Sequence, residues 1–168
     1  MPAKKKTTKE VPFRQFLKEK FNHNYGTGEI PRFTPQIQKA LKIIAKKHIS
    51  NYEVEDDMEA LGFECYRSSG VAFVGRSQVI KLMYDSRSYL KNFIPKKYRV
   101  PTVHLKNAMY SADDYKLVIQ PTCKRPKSSA AMDRIYEEMD KKTSCIDSID
   151  VHSGNVGLYK NRPVLFDW

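Results

Sequence analysis

Asp150-Val-His-Ser-Gly-Asn155, followed after Val156 by Gly157-Leu-Tyr-Lys-Asn-Arg-Pro-Val-Leu-Phe-Asp167-Trp168, is the stretch from which the rest of the chain is best read. It holds an acid, then an amide side chain at Asn155, then a short two-strand pattern that runs into a second acid. That order suits phosphoryl transfer, in which one carboxylate orients a hydroxyl and accepts its proton while an amide and a second carboxylate hold magnesium against nucleotide phosphates. The upstream chain would then have to supply the nucleotide site.

Immediately before this stretch, Ala130 to Thr143 reads as a helix with Met132, Ile135, Tyr136 and Met139 on one side, preceded by a polar linker from Cys123 to Ser129. Lys116-Leu-Val-Ile-Gln-Pro-Thr122 is an apolar strand running into a proline, the pattern of a strand that ends in a hinge. Farther upstream the period changes from helical to extended. Phe63 to Tyr66, Val71 to Val74 and Gln78 to Met83 read as an antiparallel meander, with Gly75-Arg-Ser77 as the turn between the last two strands. Lys81 stands on the third of these strands between apolar neighbours. Two readings are open for it: an outward lysine on a half-exposed strand, or a cation reserved for phosphate. Ser68-Ser-Gly70, between the first two strands, is a small-residue turn whose amides could approach a phosphate.

A glycine-containing strand turn, an apolar-flanked lysine on the third strand, and then Asp150, Asn155 and Asp167 are the parts that ATP phosphoryl transfer requires, in the order kinases use. From about Leu61 to Trp168 the chain resembles the kinase domain of the early serine/threonine protein kinases of short-tailed coliphages, a divergent branch of the protein-kinase-like fold. The resemblance rests on Leu61-Gly-Phe63, Val79-Ile-Lys81, Val100-Pro-Thr-Val103 and Asp150-Val-His-Ser-Gly-Asn155-Val. Leu165-Phe-Asp167-Trp168 is also similar to the catalytic end of aminoglycoside-type phosphotransferases, which leaves a small-molecule acceptor open.

The resemblance implies an α+β, protein-kinase-like fold with a small antiparallel sheet, a hinge near Gln120 to Cys123, a strongly truncated C-terminal lobe and an N-terminal helical extension. The expected division is a disordered basic arm at 1–10, the helical extension at 11–62, the kinase-like N-lobe and hinge at 63–123, and the truncated C-lobe at 124–168. It further implies ATP and magnesium as cofactors. Asp150 would be the catalytic base, Lys81 would contact the phosphates, and Asn155 and Asp167 would bind the metal. Ser69 and Gly70 in the turn and Gln120 and Thr122 at the hinge would complete the nucleotide contacts. The acceptor would be Ser or Thr of a host protein. The alternative is a catalytically weak or inactive module that binds and inhibits a host protein or nucleic acid through a basic surface. The helix that normally supplies a glutamate to the strand lysine has no Glu between Lys81 and Lys116, so Asp85, Glu53, Glu55 and Glu59 stand as candidate partners.

The first sixty residues are helical by pattern. Phe13, Phe16, Leu17 and Phe21 share one face of a helix over Pro12 to Phe21, and Asn22 to Pro31 reads as a loop whose Gly26-Thr-Gly28 lacks the flanking strand and Lys-Ser or Lys-Thr of a phosphate loop. Thr34-Pro35 then caps a helix with the stripe Ile37, Leu41, Ile44 and His48, while Lys39, Lys42, Lys46 and Lys47 fall off it. A short helix from Glu55 to Leu61 ends at Gly62.

Composition bounds the partners. The 168 residues carry 30 Lys and Arg against 19 Asp and Glu, a net charge of +11, which suits either a solvated surface or an anionic partner. Tyr84, Tyr89, Tyr98, Tyr110 and Tyr115 interleave with basic residues, as rings that stack bases or as cover for a small sheet. Asp147, Asp150, His152 and Asp167 can alternatively be grouped as a nuclease metal cluster. Cys65, Cys123 and Cys145 have no metal-ligand spacing and suggest buried thiols in a reducing compartment. With neither a secretory signal nor a membrane-length apolar run, the expected location is cytoplasmic, the host cytoplasm if the chain is phage-encoded.

Overall fold

The computed structural model describes residues 13–23, 32–67, 70–84, 96–107, 115–125, 128–142 and 156–165. Within them the chain is a mixed α+β protein with two antiparallel sheets and few helices. Helix α1 is Phe13–Lys20, α2 Pro35–Ile44, α3 Glu53–Ala60 and α4 Ser129–Lys142. The strands are β1 Phe21–His23, β2 Glu64–Arg67, β3 Val71–Val74, β4 Gln78–Tyr84, β5 Val103–Asn107, β6 Tyr115–Pro121, β7 Val156–Tyr159 and β8 Arg162–Leu165, and a 3-10 turn at Lys96–Tyr98 precedes β5.

Helix α2 forms where its local chemistry directs. Thr34 is extended at the N-cap, its Oγ1 accepts the Ile37 amide at 3.3 Å, and Pro35 opens the first turn, where no amide is needed. Ile37, Leu41 and Ile44 are buried while Lys39, Lys42, Lys46 and Lys47 are exposed. The helix stops at Ile44, one turn before the end of the expected stripe. His48 therefore lies in the following turn, where its Nδ1 is 2.5 Å from Ser50 Oγ. Two other expectations are corrected at the first helix: Phe21 leaves it and begins β1, and Asn22 and His23 continue that strand rather than a loop. Phe21 remains buried, now against the edge of the Phe16 ring. Helix α3 gives way at Gly62, whose φ of +91° is the left-handed conformation that a side chain disfavours.

The large sheet has the order β1-β5-β6-β4-β3-β2, with every neighbouring pair antiparallel. β2, β3 and β4 form the expected meander, and its tight turn is closed by the Gly75 amide donating to Gln78 O at 2.9 Å. Gly75 is required for space, since a Cβ there would lie 2.5 Å from Gln36 Oε1 and 2.7 Å from Gln78 O. One face of this sheet carries the main core. Phe73, Ile80, Leu105, Leu117 and Ile119 pack in one cluster with Leu17 and Phe21, with Ile37, Leu41 and Ile44 of α2, and with Val54 and Met58 of α3. Each fully buried side chain of this kind contributes about 1.5–3 kcal/mol. The described parts of the first sixty residues, α1, β1, α2 and α3, thus share the core of the sheet.

The opposite face is occupied differently. Val118, Tyr98, Val100, Val156, Val164 and Leu165 are buried but stand outside that cluster. The small sheet is the hairpin β7–β8, in which Val156 opposes Leu165. Lys124 and Leu158 exchange both backbone hydrogen bonds, at 3.0 and 2.7 Å, and Arg99 bridges to Leu165. The segment after β6 and the segment before β5 are thereby both tied to the hairpin. An ion pair between Lys97 and Glu138 joins the 3-10 turn to α4.

Candidate functional site

Alternation along the strands decides which side chains share a surface. Lys81 pairs with Ala72 on one side and Val118 on the other, Ala72 pairs with Tyr66, and Val118 with His104. Tyr66, Ala72, Lys81, Val118 and His104 therefore form one row across five strands, on the face turned away from the main core. The next row toward the β3–β4 turn is Glu64, Val74, Val79 and Gln120, and on the other side Met83 pairs with Lys116.

Lys81 is 8% exposed and Lys116 4% exposed. The outward-lysine reading of Lys81 is therefore corrected: the side chain is buried, on the polar face of a strand whose other face carries Ile80. A buried ammonium group is costly unless it meets an anion or a polar partner, and both lysines take part in polar or electrostatic interactions within the protein. Lys116 is a feature that the sequence reading missed as a site residue. Its signal was the alternation Lys116, Val118, Gln120 on an apolar strand, which places Lys116 on the same side as Lys81.

The C-terminal end of β6, at the other end of the strand from Lys116, is pinned by its pairing with the turn before β4. Thr122 donates its amide to Ser77 O at 2.9 Å and its hydroxyl to Gly75 O at 3.1 Å. Thr122 and Ser77 are thus a hydrogen-bonded pair, so the backbone of Pro121, opposite Gln78, points away from β4. On that other side β5 begins only at Val103, opposite Ile119. A proline fits here because no ladder bond is asked of its nitrogen. Its carbonyl accepts the Cys123 thiol at 3.6 Å. Gln120 is 2% exposed and donates from Nε2 to Thr102 Oγ1 at 3.1 Å, and Thr102 in turn donates to Val100 O at 3.0 Å. Burial pushes the Cys123 thiol up to about 11, against the opposing pull of the Lys81 charge.

Two of the candidate carboxylate partners for Lys81 are engaged elsewhere. Glu55 receives Arg67 Nε at 2.8 Å, and Glu53 pairs with Lys47 at 3.2 Å. Both belong to α3, whose buried residues pack on the Ile80 side of the sheet. The hydrogen bond from Arg67 also holds the Glu55 carboxyl below its usual range. Glu59 is exposed on the same helix. Asp85 lies outside the described residues.

Of the other sequence-derived site residues, Gly70, Gln120 and Thr122 are placed and Ser69, Asp150, Asn155 and Asp167 lie outside the described residues, as do Asp147, His152, Cys145, Tyr89, Tyr110, the Gly26-Thr-Gly28 segment and the arm at 1–10. A Cβ at Gly70 would come within 3.0 Å of Leu82 O, so the backbone of the turn runs close to β4. Tyr98 is 4% exposed and Tyr115 half-buried, so neither presents the open ring that base stacking needs. Tyr66, 56% exposed, does. Among the described residues no group of three or more His, Cys, Asp or Glu side chains could hold a metal ion, and no helix is long and apolar enough to cross a membrane.

No family model matches the chain, and neither does any curated protein or solved structure.

Proposed function

We propose that the chain is a minimal ATP-dependent phosphotransferase of protein-kinase-like fold, related to the early serine/threonine kinases of short-tailed coliphages and acting on Ser or Thr of a host protein. The observation that carries this reading is the position of Lys81. It is buried on the strand next to β6, facing the same side as Gln120, where β6 runs into an edge left open beyond β5. A nucleotide gripped at that edge through the Pro121 carbonyl and the Cys123 amide would bring its phosphates toward Lys81 and the turn ending at Gly70. The β7–β8 hairpin supports the remainder. Val156 and Leu165 stand opposite each other at the open end of the hairpin, and in sequence Asn155 directly precedes the one and Asp167 follows the other by two residues.

The reaction requires little covalent chemistry from the protein. The hydroxyl oxygen of the acceptor forms a bond to the γ-phosphorus as the bond to the β-phosphate bridging oxygen breaks, ADP leaves, and the hydroxyl proton passes to Asp150. Lys81 neutralises charge on the phosphates, and Asn155 and Asp167 would hold magnesium against them. The chain's part is alignment and electrostatic preorganisation.

The test is transfer of labelled γ-phosphate from ATP with magnesium, on the protein alone and in host-cell extract, beside Lys81→Ala and Asp150→Ala. Label on a discrete protein that disappears in both variants supports the kinase. Absence of label, with no thermal shift on adding ATP and magnesium, removes it and favours the second reading, a module that binds and inhibits a host protein or nucleic acid. The exposed lysines Lys39, Lys42 and Lys46 of and just after α2 would be its contact surface. In that case binding to nucleic acid should weaken steeply with salt.

A further inference from the structure

Strand β2 is the last strand of the large sheet, and among the described residues nothing pairs with its outer side. Hydrogen-bond alternation tells which of its backbone groups face outward. Gly75 and Gln78 are bonded across the β3–β4 turn, so Phe73 and Val71 bond to β4 while Val74 and Ala72 turn toward β2. Their partners there are Glu64 and Tyr66. The amides and carbonyls of Cys65 and Arg67 are therefore directed away from the sheet, a donor and an acceptor from each on an open edge. The register of β2 on β3 is unbroken, and neither a proline nor a bulge blunts that edge.

The exposed large apolar side chains among the described residues, Tyr66 and Tyr52, flank this edge. Tyr66 stands on the lysine face, its hydroxyl donating to Glu64 Oε2 at 2.8 Å. Tyr52 lies on the other side, with the Arg67 guanidinium 4.2 Å from its ring centre. Glu55, paired with Arg67, belongs to that side too, and Asp56 and Glu59, both exposed, follow Tyr52 and Glu55 at helical spacing. From His48 to Tyr66 the sequence has six Asp and Glu and no Lys or Arg, although the whole chain carries a net charge of +11. Two copies joined at β2 would bring two such acidic patches together, whereas a strand bearing Lys or Arg would meet opposite charge. We infer that β2 is a docking edge for an extended, basic segment of a partner protein, added to the sheet as a further strand beside α3. The backbone of Cys65 and Arg67 supplies the pairing, and the residues opposite them have their side chains on the α3 face, where the acids are. The intervening side chains of the added strand pack beside Tyr66. This site is separate from Lys81 and does not rest on the nucleotide reading.

The probe is a capped peptide of about eight residues that alternates lysine with valine, titrated onto the full chain by calorimetry at low salt. Two further versions carry N-methyl groups, one on the lysine amides and one on the valine amides. The lysine amides are the ones that face β2, so methylating them should weaken binding about 10-fold or more, while methylating the valine amides leaves it within about threefold. The combined variant Asp56→Asn and Glu59→Gln, its fold checked by urea melt, should lose affinity for the lysine peptide by about 5- to 10-fold. A glutamate–valine peptide should not bind, and Lys81→Ala should bind the lysine peptide as wild type does. Equal affinity for both methylated versions and the parent peptide overturns the inference, since it reports charge attraction without strand pairing. Full binding of the lysine peptide by the combined variant overturns the basic specificity. A wild-type chain that does not bind the peptide overturns the inference outright, and one that also sediments as a dimer assigns the edge to a second copy instead.

Discussion

Lys81 of β4 stands directly opposite Val118 of β6, and the two are 8% and 0% exposed. A lysine in that setting is shaped to its site: a slim four-carbon stem runs between apolar neighbours and ends in a compact charge. Arginine is not an equivalent there, because its broad planar guanidinium must be fitted into a space filled by Val118 and the Ala72 strand. Lys81→Arg should therefore fail to preserve transfer. The expected loss is about 100- to 1,000-fold, like that of Lys81→Ala, with roughly 1–3 kcal/mol of stability lost to overpacking. Transfer assays and urea melts of the two variants check this. An arginine variant with wild-type turnover would show that Lys81 supplies only positive charge at an accessible position.

Cys123 offers a probe of the same site. Burial raises its thiol from 9.0 to about 11, so the protonated form is the one the fold favours. The stability that this thiol contributes is fully present below pH 9.0 and is lost as the pH rises through about 11, because the unfolded chain ionises first. At pH 8 the folded thiolate population is roughly 100-fold below that of the same residue in the unfolded chain. Alkylation of Cys123 by iodoacetamide, followed on its own peptide by mass spectrometry, should be slower by about that factor without urea than with it. A native profile that levels off near pH 9 instead would place the thiol in water.

Much of this arrangement is legible in the residues and some is not, for definite reasons. Thr34-Pro35 fixes the start of α2 because capping is local chemistry, and Gly62 fixes the end of α3 because only a residue without Cβ sits easily at its φ of +91°. Period-2 alternation finds β2, β3 and β4 within a residue or two of their ends. Phe21 is misread because it continues the helical spacing of Phe13, Leu17 and Phe16, and only its pairing with Asn107, far along the chain, turns it into a strand residue. The burial of Lys81 is likewise non-local: nothing near it in sequence reveals its pairing with Val118 of β6. The burial of Tyr98 needs the same long-range information, since the pattern marks it beside Tyr115 and does not separate a covered ring from an open one.

Asn107 joins the sheet to α2. Its Nδ2 donates to Ile44 O at 2.6 Å, and its residue exposure is 8%. Ile44 is the last residue of the helix, one of the positions whose carbonyl has no partner within it. Removing the amide leaves that carbonyl buried and short of a donor, at a cost of about 1–3 kcal/mol. Asn107→Ala should shift the urea midpoint downward by that amount with an unchanged slope, and Asn107→Asp should do no better, because a carboxylate has no N–H to give. Since α2 covers the core side of β4, loosening it is expected to weaken nucleotide binding less than it weakens the fold.

The β7–β8 turn provides the last test, because the hairpin stands between Asn155 and Asp167. Lys160 and Asn161 both have positive φ, 51° and 61°, the pattern of a type I′ turn, which matches the twist of the strands it joins. Asparagine accepts this conformation readily, whereas a lysine pays roughly 1–2 kcal/mol in backbone strain. The Lys160 ammonium lies 5.4 Å from the centre of the Tyr159 ring, a contact worth about 0.5–1 kcal/mol at an exposed site, which offsets only part of that strain. Lys160→Asn should therefore stabilise the protein by about 0.5–1 kcal/mol, and Lys160→Val, β-branched at a position that disfavours it, should destabilise it by more than that. If the hairpin sets the spacing of the proposed metal ligands, Lys160→Val also lowers phosphoryl transfer, while Lys160→Asn keeps it. Opposite signs of the two variants in urea melts would establish the turn, and a loss of transfer in Lys160→Val beyond its loss of folded protein would tie the turn to the site.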